Sequence, residues 1–382
     1  MTYRIALLLV LGFFAAISVP SADAAEHRIY IGTYTEPDSI SDGIYTCLFN
    51  DETGSLSAPE LAVKADNPSF LAIHPNGRVL FAVNELNEFR GEKSGAVSAF
   101  RIDPQSGKLT FINQQSTSGG APCHCNIDGT GKFLLVANYV GGNVAVFPIE
   151  EDGALGEHSC VINHEGSSVN ARRQEAPHAH SINLSSDNRF AYVADLGIDR
   201  IMIYRFDAKS GVLEANSPAF AEVAAGGGPR HFAIHPSGEF AYTNNEITSS
   251  ATAFTRDTES GGLTPVQTLS TLPDQHEGGN STAECLVDPS GRFLYVSNRG
   301  NDSIAVFAID QQSGKLSTVE IEPTQGQAPR NFFIMPDGHW LLAENQSSDS
   351  VVVFSVNQQF GTLTATDHRI KVGRPVCIRI LN

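Results

Sequence analysis

The sequence predicts an all-β fold, a seven-bladed β-propeller whose ring is closed by one C-terminal strand and three N-terminal strands. Three observations predict it. A strand–turn–strand segment recurs six times, and its two missing halves lie at opposite ends of the chain. A Gly-x-Leu hairpin marker recurs at Leu56, Leu109, Leu155, Leu213, Leu263, Leu316 and Leu363. These markers are 46 to 58 residues apart, which is room for about four short strands per repeat.

Taken in order, the chain opens with a processing segment, residues 1–24. Arg4 supplies a positive end, Ile5 to Val19 is apolar, and Ala22-Asp23-Ala24 fits a small-x-small cleavage site. The apolar run is short for a membrane span, so an exported protein is expected, periplasmic or secreted, with a mature chain from about residue 25. Residues 25–382 are read as one domain. HRIYIGTYT (27–35) is a second strand without its first. Then come NPSFLAIHPNGRVLFAVNE (67–85), APCHCNIDGTGKFLLVANY (121–139), APHAHSINLSSDNRFAYVADL (176–196), GPRHFAIHPSGEFAYTNNE (228–246), STAECLVDPSGRFLYVSNR (281–299) and APRNFFIMPDGHWLLAENQ (328–346). RPVCIRIL (374–381) is the first strand that 27–35 lacks. Pairing the two closes the ring and removes a free sheet edge. The longest excursion is the loop Asn163 to Ala176.

The fourth copy shows the logic best. Phe232 and Ile234 alternate, His235-Pro236-Ser237-Gly238 supplies turn chemistry, and Phe240-Ala241-Tyr242 resumes the strand. The strands are antiparallel neighbours, so the start of the first and the end of the second share an edge. Arg230 and Glu246 are therefore expected side by side.

Composition narrows the function. With 41% hydrophobic and 18% charged residues the chain is globular. A formal net charge of −17 argues against nucleic acid and anionic membranes, so local arginines must hold any anionic ligand. Six cysteines in so long a chain do not make a disulfide scaffold. Cys123-His124-Cys125 carries no metal expectation, because strand alternation puts His124 opposite both thiols. G-x-S-x-G, H-E-x-x-H, P-loop and G-x-G-x-x-G motifs are absent. No cofactor is expected.

Aligned copies define columns that map onto the channel. Three residues after the blade-opening Pro stand Leu71, Cys125, His180, Phe232, Cys285, Phe332 and Ile378, where His180 interrupts an apolar series. One residue after it stand Ser69, Cys123, His178, Arg230, Ala283, Arg330 and Val376. The second strand ends at Tyr34, Glu85, Tyr139, Leu196, Glu246, Arg299 and Gln346, just past an Asn-rich column expected to bond loop backbone. One channel mouth is thus expected to gather His180, Glu246 and Arg230 as catalytic groups. Arg299, His178, Arg330, Gln346 and Glu85 would bind substrate there. A carboxylate or imidazole to carry a proton, and guanidiniums to hold an anion or a developing oxyanion, suit opening or closing of a lactone.

The segments RRQEAPHAHS (172–181), GGPRHFAIHPSGEFAYTNNE (227–246), YVSNRGNDSIAVF (295–307) and YIGTYT (30–35) resemble the seven-bladed lactonase family. That family includes the propeller-type bacterial 6-phosphogluconolactonase and the fungal carboxy-muconate lactonizing enzyme. The resemblance implies lactone hydrolysis or its reverse, without a metal, on a small anionic lactone. His180 matches the family's active-site histidine, Arg230 and Glu246 its Arg and Glu sixteen residues apart, and Arg299 its next arginine. A sugar-lactone hydrolase of the 6-phosphogluconolactonase kind is the leading expectation, as a monomer. A cycloisomerase of muconate type and a non-catalytic periplasmic binding propeller are the alternatives. Export departs from the cytosolic setting of the family's phosphogluconolactonase.

Overall fold

A computed structural model describes residues 26–381. Seven antiparallel four-stranded sheets make the ring. The processing segment expected at 1–24 lies outside the described residues. Six blades each take four consecutive strands. The seventh joins the chain ends, with Pro375–Leu381 alongside Glu26–Thr33, then Gly43–Asn50 and Glu60–Lys64. Its seam pairs Arg28 with Leu381 and Ile31 with Ile378. The second strand of each complete blade is buried throughout or nearly so, as in Phe240–Asn245. Neighbouring blades cover both of its faces, which is why FAYTNN does not alternate.

The Gly-x-Leu marker is the joint between blades. Gly314 has φ +67°, and a Cβ there would lie 2.4 Å from the Phe240 ring of the preceding blade. Gly261 meets Phe190 and Gly361 meets Phe293 in the same way. The carbonyls of these glycines accept hydrogen bonds from buried tyrosines of the blade before: Tyr192 to Gly261 at 2.9 Å, Tyr242 to Gly314 at 3.0 Å and Tyr295 to Gly361 at 2.8 Å. Tyr30 and Gly107 repeat the bond across the closing blade at 3.0 Å. The Asn column bonds loop carbonyls as expected: Asn84 to Asp66, Asn138 to Thr117, Asn298 to Thr271 and Asn345 to Thr324. Asn245 instead bonds the hydroxyls of Ser250 and Thr252.

One register expectation is corrected. A β-bulge interrupts the first strand of blades 2 to 6, just inside its opening residue. In the third blade Ala179, not Pro177, opposes Asp195, as Pro229 opposes Asn245 and Pro329 opposes Asn345. The third copy is two residues longer at its start. His180 therefore occupies the position of Arg230 and Arg330, and Ile182 that of Phe232.

Candidate active site

The bulge matters because it turns the residue after the strand opening toward the channel. Cys123, His180, Arg230 and Arg330 reach the mouth from this position and Ser69 from the unbulged first blade, while Tyr34, Glu85, Tyr139, Glu246 and Arg299 reach it from the ends of second strands. Together with Arg173 and Ser281, most of them enclose a cavity of about 310 Å³. At its centre Glu246 is buried between three guanidiniums. Its Oε2 accepts from Arg230 Nε at 3.0 Å and lies 2.9 Å from Arg299 Nη2, and its Oε1 accepts from Arg173 Nη2 at 2.5 Å. Arg230 also donates to the Ala283 carbonyl at 2.6 Å and Arg299 to that of Thr282 at 2.9 Å, so both are fixed to the framework.

Across the cavity Glu85 accepts from the Tyr34 hydroxyl at 2.7 Å and the Ser69 hydroxyl at 2.5 Å. The Arg330 guanidinium lies 5.2 Å from the centre of the Tyr34 ring, and among the described residues no carboxylate comes within ion-pair distance of it. His180 stands with Nδ1 3.6 Å from Cys123 Sγ and its ring edge-on to Tyr139.

Electrostatics separates the two titratable groups, Glu246 and His180. Burial alone would raise the Glu246 carboxyl, but Arg299, Arg230 and Arg173 override it and hold it down at about 2. Burial, then Arg230, His231 and Arg330, push His180 well below the ordinary imidazole range, so it is neutral at neutral pH.

The family model of the seven-bladed β-propeller lactonases matches residues 28–380. This chain belongs to that family. It is 37% identical over 354 residues to the 6-phosphogluconolactonase of Bacillus subtilis, spanning 92% of this chain and 98% of the relative. The 6-phosphogluconolactonase of Formosa agariphila is 33% identical over 79% of this chain and 85% of its own. The solved structure of a periplasmic gluconolactonase from Pseudomonas aeruginosa superposes with a TM-score of 0.87 at 34% identity, covering 94% of this chain and 99% of that one.

In this lactonase-family chain six of the eight expected site residues meet at one mouth: His180, Arg230, Glu246, Arg299, Arg330 and Glu85. His178 and Gln346 do not. His178 stacks behind Tyr139 with ring centres 4.5 Å apart and its Nδ1 2.9 Å from the Tyr139 carbonyl, so it supports the wall. Gln346 begins a short 3-10 turn and is not among the cavity's lining residues. Arg173 and Tyr139 were missed as site residues. Tyr139 stood in the correct column without a charge to draw notice, and Arg173 sits in a loop that no repeat copy matches. A larger concavity of about 990 Å³ opens between the first two blades around Arg78, Arg101, Lys132 and Pro148. His74, Glu150, Glu151 and Asp152 also line it, but none of the residues that the repeat columns bring to the channel mouth does.

Proposed function

We propose that this chain hydrolyses a sugar lactone carrying an anionic group, in the manner of a 6-phosphogluconolactonase, in the cavity between Glu85 and Glu246. One observation carries the reading. Four guanidiniums, those of Arg173, Arg230, Arg299 and Arg330, face the carboxylates of Glu85 and Glu246 around the neutral imidazole of His180. The cavity is thus left with two positive charges in a chain of net charge −17. A phosphate monoester carries about −1.5 to −2 at neutral pH and balances that excess.

In this reading Glu246 is not the base. Both its oxygens are held by arginines, and a carboxyl lowered to about 2 is a weak acceptor of water's proton. Its work is to align Arg230 and Arg299. His180 takes the proton: Nδ1 lies against Cys123, which leaves Nε2 for water. The water oxygen bonds to the lactone carbonyl carbon, and the carbonyl oxygen gathers negative charge beside a guanidinium. The ring C–O bond then breaks, and the ring oxygen leaves as a hydroxyl carrying the proton that His180 returns. The decisive assay is hydrolysis of 6-phosphoglucono-1,5-lactone and glucono-1,5-lactone by the purified mature protein. A rate no faster than spontaneous hydrolysis on both overturns the proposal.

Export belongs to the same proposal. The Arg4 and Ile5–Val19 pattern supports it, as does the likeness to a periplasmic gluconolactonase. Mass spectrometry of the protein from cells should find a chain beginning near residue 25. A chain retaining Met1 overturns it. Among the described residues no helix is long and apolar enough to cross a membrane.

A further inference from the structure

The link between the second and third blades, residues 164–178, brings Arg173 to the cavity as a strap pinned at both ends by one buried carboxylate of the third blade, that of Asp195. At its start His164 Nδ1 meets Asp195 Oδ2 at 2.6 Å, and at its end the His178 amide donates to Asp195 Oδ1 at 2.7 Å. Midway, Asp199 accepts from Ser168 Oγ at 2.5 Å and from Gln174 Nε2 at 2.7 Å. Gln174 is fully buried and also donates to the Leu196 carbonyl at 2.9 Å. Asp199 further accepts from the amides of Gly226 and Gly228, at 2.6 and 2.7 Å, in the segment that leads to Arg230. Its own backbone is left-handed, at φ +57°, a conformation Asp tolerates better than most residues. One buried carboxylate thus fixes the strap and the approach to Arg230 together.

Arg173 stands next to Gln174 on this fixed backbone. Its side chain is 42% exposed, against 3% for Arg230 and 16% for Arg299. Unlike those two it donates only to side chains, Glu246 Oε1 at 2.5 Å and the Tyr139 hydroxyl at 3.2 Å. Exchanging Glu246 for an incoming anion breaks no bond to the framework, because Arg230 and Arg299 still neutralise Glu246.

We propose that Arg173 is the residue that discriminates substrates by the anionic group distant from the reacting carbonyl, and that Asp199, acting through Gln174, positions it. The proposal rests on the lactone-hydrolase reading of the same cavity. A phosphate and a carboxylate share the chemistry that would engage the guanidinium, so the test uses both.

The full mature protein and its R173Q, R173K and D199N variants are assayed with glucono-1,5-lactone bearing at C6 a free hydroxyl, a phosphate or a carboxylate. Binding of the products gluconate and 6-phosphogluconate is measured by calorimetry. In R173Q the KM for the anionic lactones should rise roughly 30- to 100-fold, at least ten times more than for the neutral one, with a smaller change in kcat. R173K should recover part of the preference, and D199N should lose preference in the same direction. Which anionic lactone loses more in R173Q tells phosphate from carboxylate. Equal losses on charged and neutral lactones overturn the proposal, as does an unchanged preference. If the wild type hydrolyses none of them, the catalytic reading fails, and the binding arm still decides: 6-phosphogluconate affinity that R173Q leaves intact overturns the role of Arg173.

Discussion

At the scale of the residue, the site depends on how burial and charge act on two titratable groups of one cavity, together on His180 and in opposition on Glu246. His180 is lowered, so its basic, neutral form is present above a pKa lying under the ordinary 6.5. Measured on the uncharged glucono-1,5-lactone, kcat/KM should therefore stay flat as pH falls from 8 past the ordinary imidazole value and decline only below it. A break at 6.5 or above would exclude His180 as the base. H180Q should lose roughly 10²- to 10⁴-fold in kcat with lactone affinity largely kept. Glu246 follows a different sign. Its folded pKa of about 2 lies below the ordinary 4.5, so its stabilisation is full above 4.5 and lost as pH falls from there toward 2. E246Q leaves buried guanidiniums unpaired and should unfold more easily at neutral pH by roughly 3–5 kcal/mol. Its urea midpoint should then drop less than the wild type's between pH 7 and pH 3. An equal drop in both would remove Glu246 from the acid response.

At the scale of the element, the blade joint and the bulged first strand explain what could be read from the chain alone. The Gly-x-Leu marker was legible because its glycine is forced by two constraints at once, a left-handed turn and a neighbouring side chain, which is an aromatic ring at Gly54, Gly211, Gly261, Gly314 and Gly361. At Gly314 both act, so Gly314→Ala should cost roughly 1–3 kcal/mol through strain and crowding against Phe240. Tyr242→Phe removes only the donor to the Gly314 carbonyl and should cost about 1 kcal/mol. A smaller melting-temperature loss for Gly314→Ala than for Tyr242→Phe would contradict this account of the joint. The bulge was not legible. It inserts a residue without a composition signature, and in the third copy it coincides with a longer opening, so counting from Pro177 displaced His180 by two positions. The residue was still found, because the displaced count set it in an apolar column where it stood out; in its true column it stands with Arg230 and Arg330, which were themselves expected at the mouth. Arg173 was out of reach for the opposite reason: a strap unique to one blade junction has no column to compare with.

At the scale of the whole molecule, the ring is what brings a histidine, two glutamates and four arginines from separate blades and a strap to one mouth. Closure depends on the seam between the chain ends. Strand Pro375–Leu381 pairs with Glu26–Thr33 along its length, and Cys377 receives the Leu71 amide of the first blade at 3.3 Å. Removing residues 375–382 leaves the edge of Glu26–Thr33 unpaired and uncovers Ile29 and Ile31, which are fully buried in the intact ring. It also opens the wall beside Arg330, whose blade precedes the seam. The truncated chain should therefore self-associate through its bare edge, unfold without a single cooperative transition and hydrolyse no lactone. Supplying the strand as a separate peptide should restore part of the cooperativity. A truncated protein that stays monodisperse, melts in one transition and keeps its activity would show that the other six blades hold the mouth without closure.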